Sequence, residues 1–414
     1  MKVPPKVLEP GKVLRPDAAL EVGVVAGESS GDQLGAALIR ALRARAPRLR
    51  CFGVAGAAMQ AAGCETWASA HELAVMGLFE PLKHLPRLIR LRRRLRARLT
   101  AERPDVFVGI DAPAFNLGLA RQLRRAGLAT VQYVSPQVWA WRQDRVRGIA
   151  RACDLVLCLL PFEAEFYARQ GVRALFVGHP LADQIPLDVD RPLARRELGI
   201  AAAAGPIVAL LPGSRLGEVE RLGRDFLGAA RWIEARRPSV RFIAPMASTA
   251  ARQVFERHMR SLGWGNVRLL DGEAQRALIA CDAALVASGT ATLETLLCKR
   301  PMVVAYRFAR STAFAIRGLR LVKVPHFSQP NLLAGRRLVP EFLQEEVTPE
   351  ALGTALLAEL DDPARRAELE REFRRVHESL RRCGADRAAE AILELIAARA
   401  ATAPGPAAGS FIQP

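Results

Sequence analysis

Residues 20–42 read LEVGVVAGESSGDQLGAALIRAL. The first seven are apolar almost without a break, and a strand with no polar face is one covered on both sides, as in parallel sheets. A glycine-bounded turn follows. Leu34, Leu38, Ala41 and Leu42 then fall on one stripe of a helix. Strand, glycine turn and helix together open a βα unit.

The same step recurs along the chain. Further strands are expected at 50–54, 106–110, 130–134, 155–159 and 174–177, and helical spacing fills most of the gaps. The alternation restarts at 207–211 and continues through 241–244, 267–270, 283–287 and 302–305. Between the two runs lies a Pro- and Asp-rich joint, 178–195. From residue 349 to 400 the pattern is mostly helical. The economical reading is α/β: two Rossmann-like, doubly wound parallel-sheet domains with a helical C-terminal end. The expected boundaries are 19–185 for the first domain and 186–365 for the second. Helices over 366–402 either stay there or pack back on the first domain. A leader, 1–18, and a Pro-, Gly- and Ala-rich tail, 403–414, are expected to be disordered.

The 414 residues carry 60 Lys and Arg against 42 Asp and Glu, a net charge of +18. Such a balance points to a polyanionic partner: nucleic acid, anionic lipid or a phosphorylated substrate. It equally suits a chain that is simply Arg-rich throughout. The seven Cys are odd in number and form no CxxC pair, which reads as reduced thiols rather than a disulfide framework, and Cys153 and Cys158 read as core residues rather than metal ligands. No secretory signal and no apolar run of bilayer length is visible, so any membrane contact is expected to be peripheral.

In doubly wound sheets, ligands bind at the carboxyl ends of the strands, and four loops there stand out. The first, GESSGD at 27–32, is either a ligand loop at a helix start or a turn capped by Ser30 or Asp32. In the second, GIDAPAFN at 109–116, Asp111 ends an apolar strand. It suits a base that takes a proton from a sugar hydroxyl and, equally, a cap on the next helix. The third, 133–142, places Trp139 and Trp141 beside Arg142. That pattern fits sugar stacking or an interfacial site, and also a packed aromatic turn.

The fourth is split. Gly213, Ser214 and Arg215 follow one strand, and Ser288, Gly289, Thr290 and Glu294 follow another. Free N–H groups at a helix start attract anions, an arginine binds a pyrophosphate bidentately, and a carboxylate one turn in can accept both ribose hydroxyls. The pair reads as a nucleotide-diphosphate site without a metal. Ordinary Ser- and Thr-capped turns are the alternative. Residues 83–98 form a basic amphipathic segment with seven Arg and one Lys. Beside the apolar stretch 75–82, it suits an anionic bilayer surface. Equally, its leucines face the sheet and its Arg face stays free for phosphate.

AGESSGD (26–32), VMG (75–77), SPQVWAWR (135–142), LPFE (160–163), VGHPL (177–181), LPGSR (211–215), SGTATLE (288–294) and QPNLL (329–333) occur in this order. Together they resemble the lipid-A-disaccharide synthase family, from about residue 22 to 346. The resemblance implies a GT-B fold with the active cleft between the domains. It implies an inverting, metal-independent transfer from UDP-2,3-diacylglucosamine to 2,3-diacylglucosamine 1-phosphate, giving lipid A disaccharide 1-phosphate and UDP in lipopolysaccharide biosynthesis. No cofactor is implied, since the UDP-sugar is a substrate.

By the same resemblance Asp111 is the base, with Glu28 beside it among the catalytic residues. Gly213, Ser214, Arg215, Ser288, Gly289, Thr290, Glu294 and Asn331 bind the donor. Ser30, Met76, Phe79, Trp139, Trp141, Arg142 and His179 belong to the acceptor and membrane side. The implied place is cytoplasmic, peripheral on the anionic inner leaflet of the inner membrane, with no nucleic-acid partner and with a homodimer allowed. Two positions depart from the family pattern. Ser29 stands where Ala is commoner, and Ala114 stands where a second acidic residue is usual.

Two other readings remain at this stage. A UDP-sugar epimerase or another lipid-linked glycosyltransferase would use similar UDP loops but is not expected to share 135–142 and 329–333. A basic nucleic-acid-binding protein would show steep salt dependence and no UDP affinity, and no zinc-finger or RRM signature supports it.

Overall fold

Continuous apolar strands become the centres of two parallel sheets. The protein is described here by a computed structural model covering residues 19–73, 81–141, 143–201, 205–308 and 326–402, with backbone only at 81–85, 140 and 141. The chain divides after Pro180 and again after Arg381. The first unit runs to Pro180 and resumes at Arg382, and Leu181–Arg381 is the second.

The first unit holds β1 (Leu20–Ala26), β2 (Leu49–Ala55), β3 (Cys64–Ser69), β4 (Val106–Ile110), β5 (Ala129–Tyr133), β6 (Leu155–Cys158) and β7 (Ala174–Phe176). They lie in the order β3-β2-β1-β4-β5-β6-β7, and every pairing is parallel. Alternate β1 residues serve opposite faces. Val22, Val24 and Ala26 pack with the helices Ser29–Arg45 and Gly384–Thr402. Val25 joins Phe52, Phe107 and the helices Pro81–Glu102 and Pro113–Arg125. Burial on both faces explains the missing alternation.

In the second unit β8 (Ile207–Leu211), β9 (Arg241–Met246), β10 (Arg268–Asp271), β11 (Ala283–Ala287), β12 (Met302–Tyr306) and β13 (Glu341–Leu343) run in the order β10-β9-β8-β11-β12-β13. These pairings are parallel as well.

Two strands were not expected, and both are sheet edges. β3 reads CETWAS and is only half buried, and β13 has three residues. Neither carries enough apolar residues to signal a strand.

The division also falls five residues before the expected 185/186 boundary. Ala182 and Ile185 are buried. The Ala182 carbonyl is 2.9 Å from His377 Nε2, and the Pro186 carbonyl accepts from Lys299 Nζ at 3.1 Å. These bonds tie 182–186 to the second unit. The helical end splits likewise: Pro363–Leu380 stays with the second unit, while Gly384–Thr402 joins the first. There Arg45 pairs with Asp386 and Glu390, and Arg399 with Asp154. Among the described residues no helix is long and apolar enough to cross a membrane.

Candidate functional site

Each sheet reverses its strand order once. In the first unit the reversal lies between β1 and β4, in the second between β8 and β11. Loops diverge at such a point and leave a crevice at the carboxyl ends of the strands. The GESSGD and GIDAPAFN loops flank the first crevice, and the Gly213–Arg215 and Ser288–Glu294 loops flank the second. Strand order was not legible in the sequence, yet it groups the candidate loops in pairs.

In the first crevice the two loops touch. A Cβ added at Gly27 would lie 2.4 Å from the Ala112 Cβ, so only glycine lets the backbones approach. Glu28 and Asp111 are the neighbours of this contact. Glu28 occupies the N-cap position of Ser29–Arg45 with extended backbone and no side-chain cap bond, and it is exposed together with Ser29 and Ser30. The expected cap by Ser30 or Asp32 is therefore corrected. The Asp32 carboxylate is buried and accepts from the backbone N–H of Gly56, Ala58 and Met59 at 2.8–3.1 Å, closing the turn after β2 instead.

Asp111 and Ala112 both have positive φ, 52° and 40°. Two successive non-glycine residues in this region are uncommon and are held by their surroundings. The clamp is visible. Asn116 Nδ2 donates to the Asp111 carbonyl at 2.8 Å and to Val25 O at 3.2 Å, and Gln132 Nε2 donates to the Asp111 carbonyl at 3.0 Å. Both amides are fully buried. Ala112, not Asp111, is the N-cap of Pro113–Arg125, so the reading of Asp111 as that cap is set aside. Asn116 and Gln132 had been given no role. The signal was a glutamine within the apolar run 129–133, since a buried amide needs backbone partners.

The described side chains of the third loop, up to Trp139, are mostly packed rather than open. Trp139 donates from Nε1 to Glu163 Oε1 at 3.2 Å and meets Phe162 edge-to-face at 4.8 Å. Glu163 also accepts from Leu160 N at 3.1 Å, and burial pushes its carboxyl up to about 7. An acid whose folded pKa lies above its unfolded value holds its proton in the native state while the unfolded state has lost it. The contribution of Glu163 to stability therefore falls as pH rises from about 4.5 to about 7 and levels above it. Glu163→Gln removes this contribution: between pH 5 and 7.5 the melting temperature of the wild type is expected to fall relative to that of the variant. Equal slopes in the two proteins would refute the titration. Arg142, Met76 and Phe79 lie outside the described residues, and of Trp141 only the helical backbone is described.

In the second crevice, Arg215 is the N-cap residue of Leu216–Glu234. Glu218 accepts from its backbone N–H at 3.3 Å and holds its guanidinium loosely at 3.7 Å. The side chain is 68% exposed, so it can turn to a ligand. Gly213, φ 123°, has no room for a side chain: a Cβ there would meet the Glu218 carboxylate at 2.5 Å. Ser214 is exposed.

Across the crevice, Gly289 caps Thr290–Leu297 and both Gly289 and Thr290 are exposed. The Gly289 carbonyl accepts from the Thr292 N–H and hydroxyl. The first amides of the helix find no acceptor among the described residues, which is the anion-binding arrangement of a helix start. Ser288 donates its hydroxyl to Phe327 O at 3.0 Å. The segment it holds is fixed by Glu341, which accepts from Phe327 N at 3.2 Å and Ser328 N at 2.7 Å. Glu341, on an edge strand too short to read, had no signal in the sequence. Glu294 lies one turn into the helix, and burial raises its pKa.

Two expected site residues are buried. Asn331 is fully buried, its Oδ1 accepting from Leu338 N at 2.6 Å and Val339 N at 2.8 Å while Nδ2 donates to Val339 O. It clamps the turn before β13. His179 is buried, and desolvation lowers its pKa to about 4, so it is neutral at pH 7.

Two parallel sheets with paired loops at their switch points place the chain in the GT-B class. Solved structures share the fold. The UDP-forming α,α-trehalose-phosphate synthase from Burkholderia vietnamiensis matches with TM-score 0.59 at 14% identity, over 93% of this chain and 99% of that one. The calicheamicin glycosyltransferase CalG4 matches with TM-score 0.58 at 16% identity, over 92% and 100%.

Sequence goes further. The lipid-A-disaccharide synthetase family profile matches residues 22–396. The lipid-A-disaccharide synthase of Pseudomonas paraeruginosa strain PA7 is 52% identical over 380 residues, 92% of this chain and 99% of that protein. That of Pseudomonas putida strain GB-1 is 53% identical over 379 residues, again 92% and 99%. The chain belongs to the lipid-A-disaccharide synthetase family.

Proposed function

We propose that the protein joins UDP-2,3-diacylglucosamine to 2,3-diacylglucosamine 1-phosphate, releasing UDP and the β-1,6-linked disaccharide phosphate. The observation that carries the site reading is the pairing of loops at the two switch points. One pair offers carboxylates, the other an exposed arginine opposite a helix start.

In this mechanism the acceptor's 6-hydroxyl is the nucleophile. Asp111 takes its proton as the oxygen bonds to the donor's anomeric carbon. The carbon–oxygen bond to UDP breaks on the opposite face, and the electron pair leaves with the diphosphate. Arg215 and the amides of Gly289 and Thr290 meet the charge that grows there, which favours the transition state over the bound substrate. Glu294, one helical turn from Thr290, accepts the ribose hydroxyls. Glu28 lines the acceptor side. Work takes place at the inner leaflet, where the acyl chains need not leave the bilayer fully, and the basic 83–98 segment serves that contact.

The test is direct. Purified protein with both acylated substrates and EDTA is expected to yield UDP and disaccharide in equal amounts. Equal turnover of unacylated sugars, or epimerised donor without disaccharide, would move the chain to another UDP-sugar reaction.

A further inference from the structure

The helix Pro81–Glu102 carries an unassigned groove of about 200 Å³ lined by Glu72, Arg87, Arg90, Leu91 and Arg94. The arginines recur at spacings of three and four, so they share one face. They are exposed. Glu72 engages one of them, accepting from Arg87 at 3.1 Å. Arg90 reaches only its own helix, donating to Pro86 O at 3.4 Å, and Arg94 has no partner among the described residues. One carboxylate against three guanidinium groups leaves two positive charges in an open groove with Leu91 in its wall.

Its position within the first unit is informative. A Cβ at Gly23 would touch Leu99 at 2.6 Å, which sets Leu99 level with the middle of β1. Nine residues back along the helix, about 13 Å, is Arg90. Four residues forward along β1, also about 13 Å, is Gly27. A second contact agrees. The Arg92 guanidinium reaches Gly118, so this stretch of the helix runs beside Pro113–Arg125, the helix that follows Asp111. The groove therefore stands level with the carboxyl ends of the strands, where the Asp111 and Glu28 loops lie.

We propose that this groove is a phosphate-monoester subsite and that it receives the phosphate of the acceptor. The inference rests on the glycosyl-transfer reading above. The two substrates carry the same acylated sugar and differ in phosphate chemistry: the acceptor ends in a monoester, the donor in a diphosphate diester. Paired guanidinium groups favour a dianionic terminal phosphate, with up to two parallel hydrogen bonds from each. Seating that group here selects the acceptor and orients its far hydroxyl.

An anionic lipid headgroup offers the same chemistry, so the experiment separates the two. Arg90→Gln/Arg94→Gln is compared with Arg93→Gln, an exposed neighbour outside the groove. Rates are measured in neutral detergent, varying each substrate in turn, and binding is measured to vesicles with and without anionic lipid. The double variant is expected to raise the acceptor KM about tenfold or more, with donor KM and UDP affinity unchanged. Glycerol 1-phosphate is expected to compete with the acceptor in the wild type and to lose that effect in the variant. Unchanged acceptor KM, with or without lost vesicle binding, overturns the proposal, and so does an equal rise in Arg93→Gln. A wild type that makes no disaccharide would instead fail the functional reading itself.

Discussion

Asp111→Asn is expected to lower kcat about a hundred- to ten-thousandfold while UDP affinity stays within about twofold of wild type. The amide keeps the shape and can still hydrogen-bond, but it cannot take a proton. The turn that presents residue 111 is held through its backbone carbonyl by Asn116 and Gln132. These bonds are untouched by a side-chain exchange of equal size, and an unchanged melting temperature is the control. Turnover at the wild-type rate would remove Asp111 as the base and turn attention to Glu28, its neighbour across the Gly27–Ala112 contact. The clamp gives a related expectation. Removing the Asn116 amide frees the strained turn, so its effect should follow that of Asp111 rather than add to it.

Much of this arrangement was legible, and the reasons are physical. β1, β4, β8 and β11 are buried on both faces and so declare themselves as unbroken apolar runs. The loops after them carry glycines where backbones meet, at Gly27 and Gly213, and those glycines marked the loops for attention. The strand order was not legible, because it depends on which strands pair across long separations. Edge strands were also hidden, as β3 is polar on one side and β13 is too short for any period. Polar residues misled in both directions. Asn331 sits in a motif and is a backbone clamp, while Gln132 had seemed one more strand residue and supports the Asp111 turn. A side chain's chemistry says that it must have partners, but only the fold says whether the partner is backbone or ligand.

Arg215→Ala is the other change of large expected effect, and its signature should differ from that of Asp111. The guanidinium is mostly exposed and held by Glu218 only at 3.7 Å, so the free protein loses little when it is cut back. Its contribution should arise as the diphosphate departs, because the leaving group gains charge at the bond that breaks. A loss in kcat of about a hundred- to a thousandfold is therefore expected, as for removal of a single donor to a developing anion. Product UDP already carries that charge, so UDP affinity should weaken too, by about tenfold, whereas donor KM should change less. Arg215→Lys keeps the charge but loses the planar fork and should fall between. The two substitutions thus divide the reaction: Asp111→Asn affects turnover without UDP binding, and Arg215→Ala affects both. An Arg215→Ala protein with full turnover and full UDP affinity would leave the second crevice with only its helix amides to meet the leaving group, and the assignment of this loop to the diphosphate would have to be abandoned.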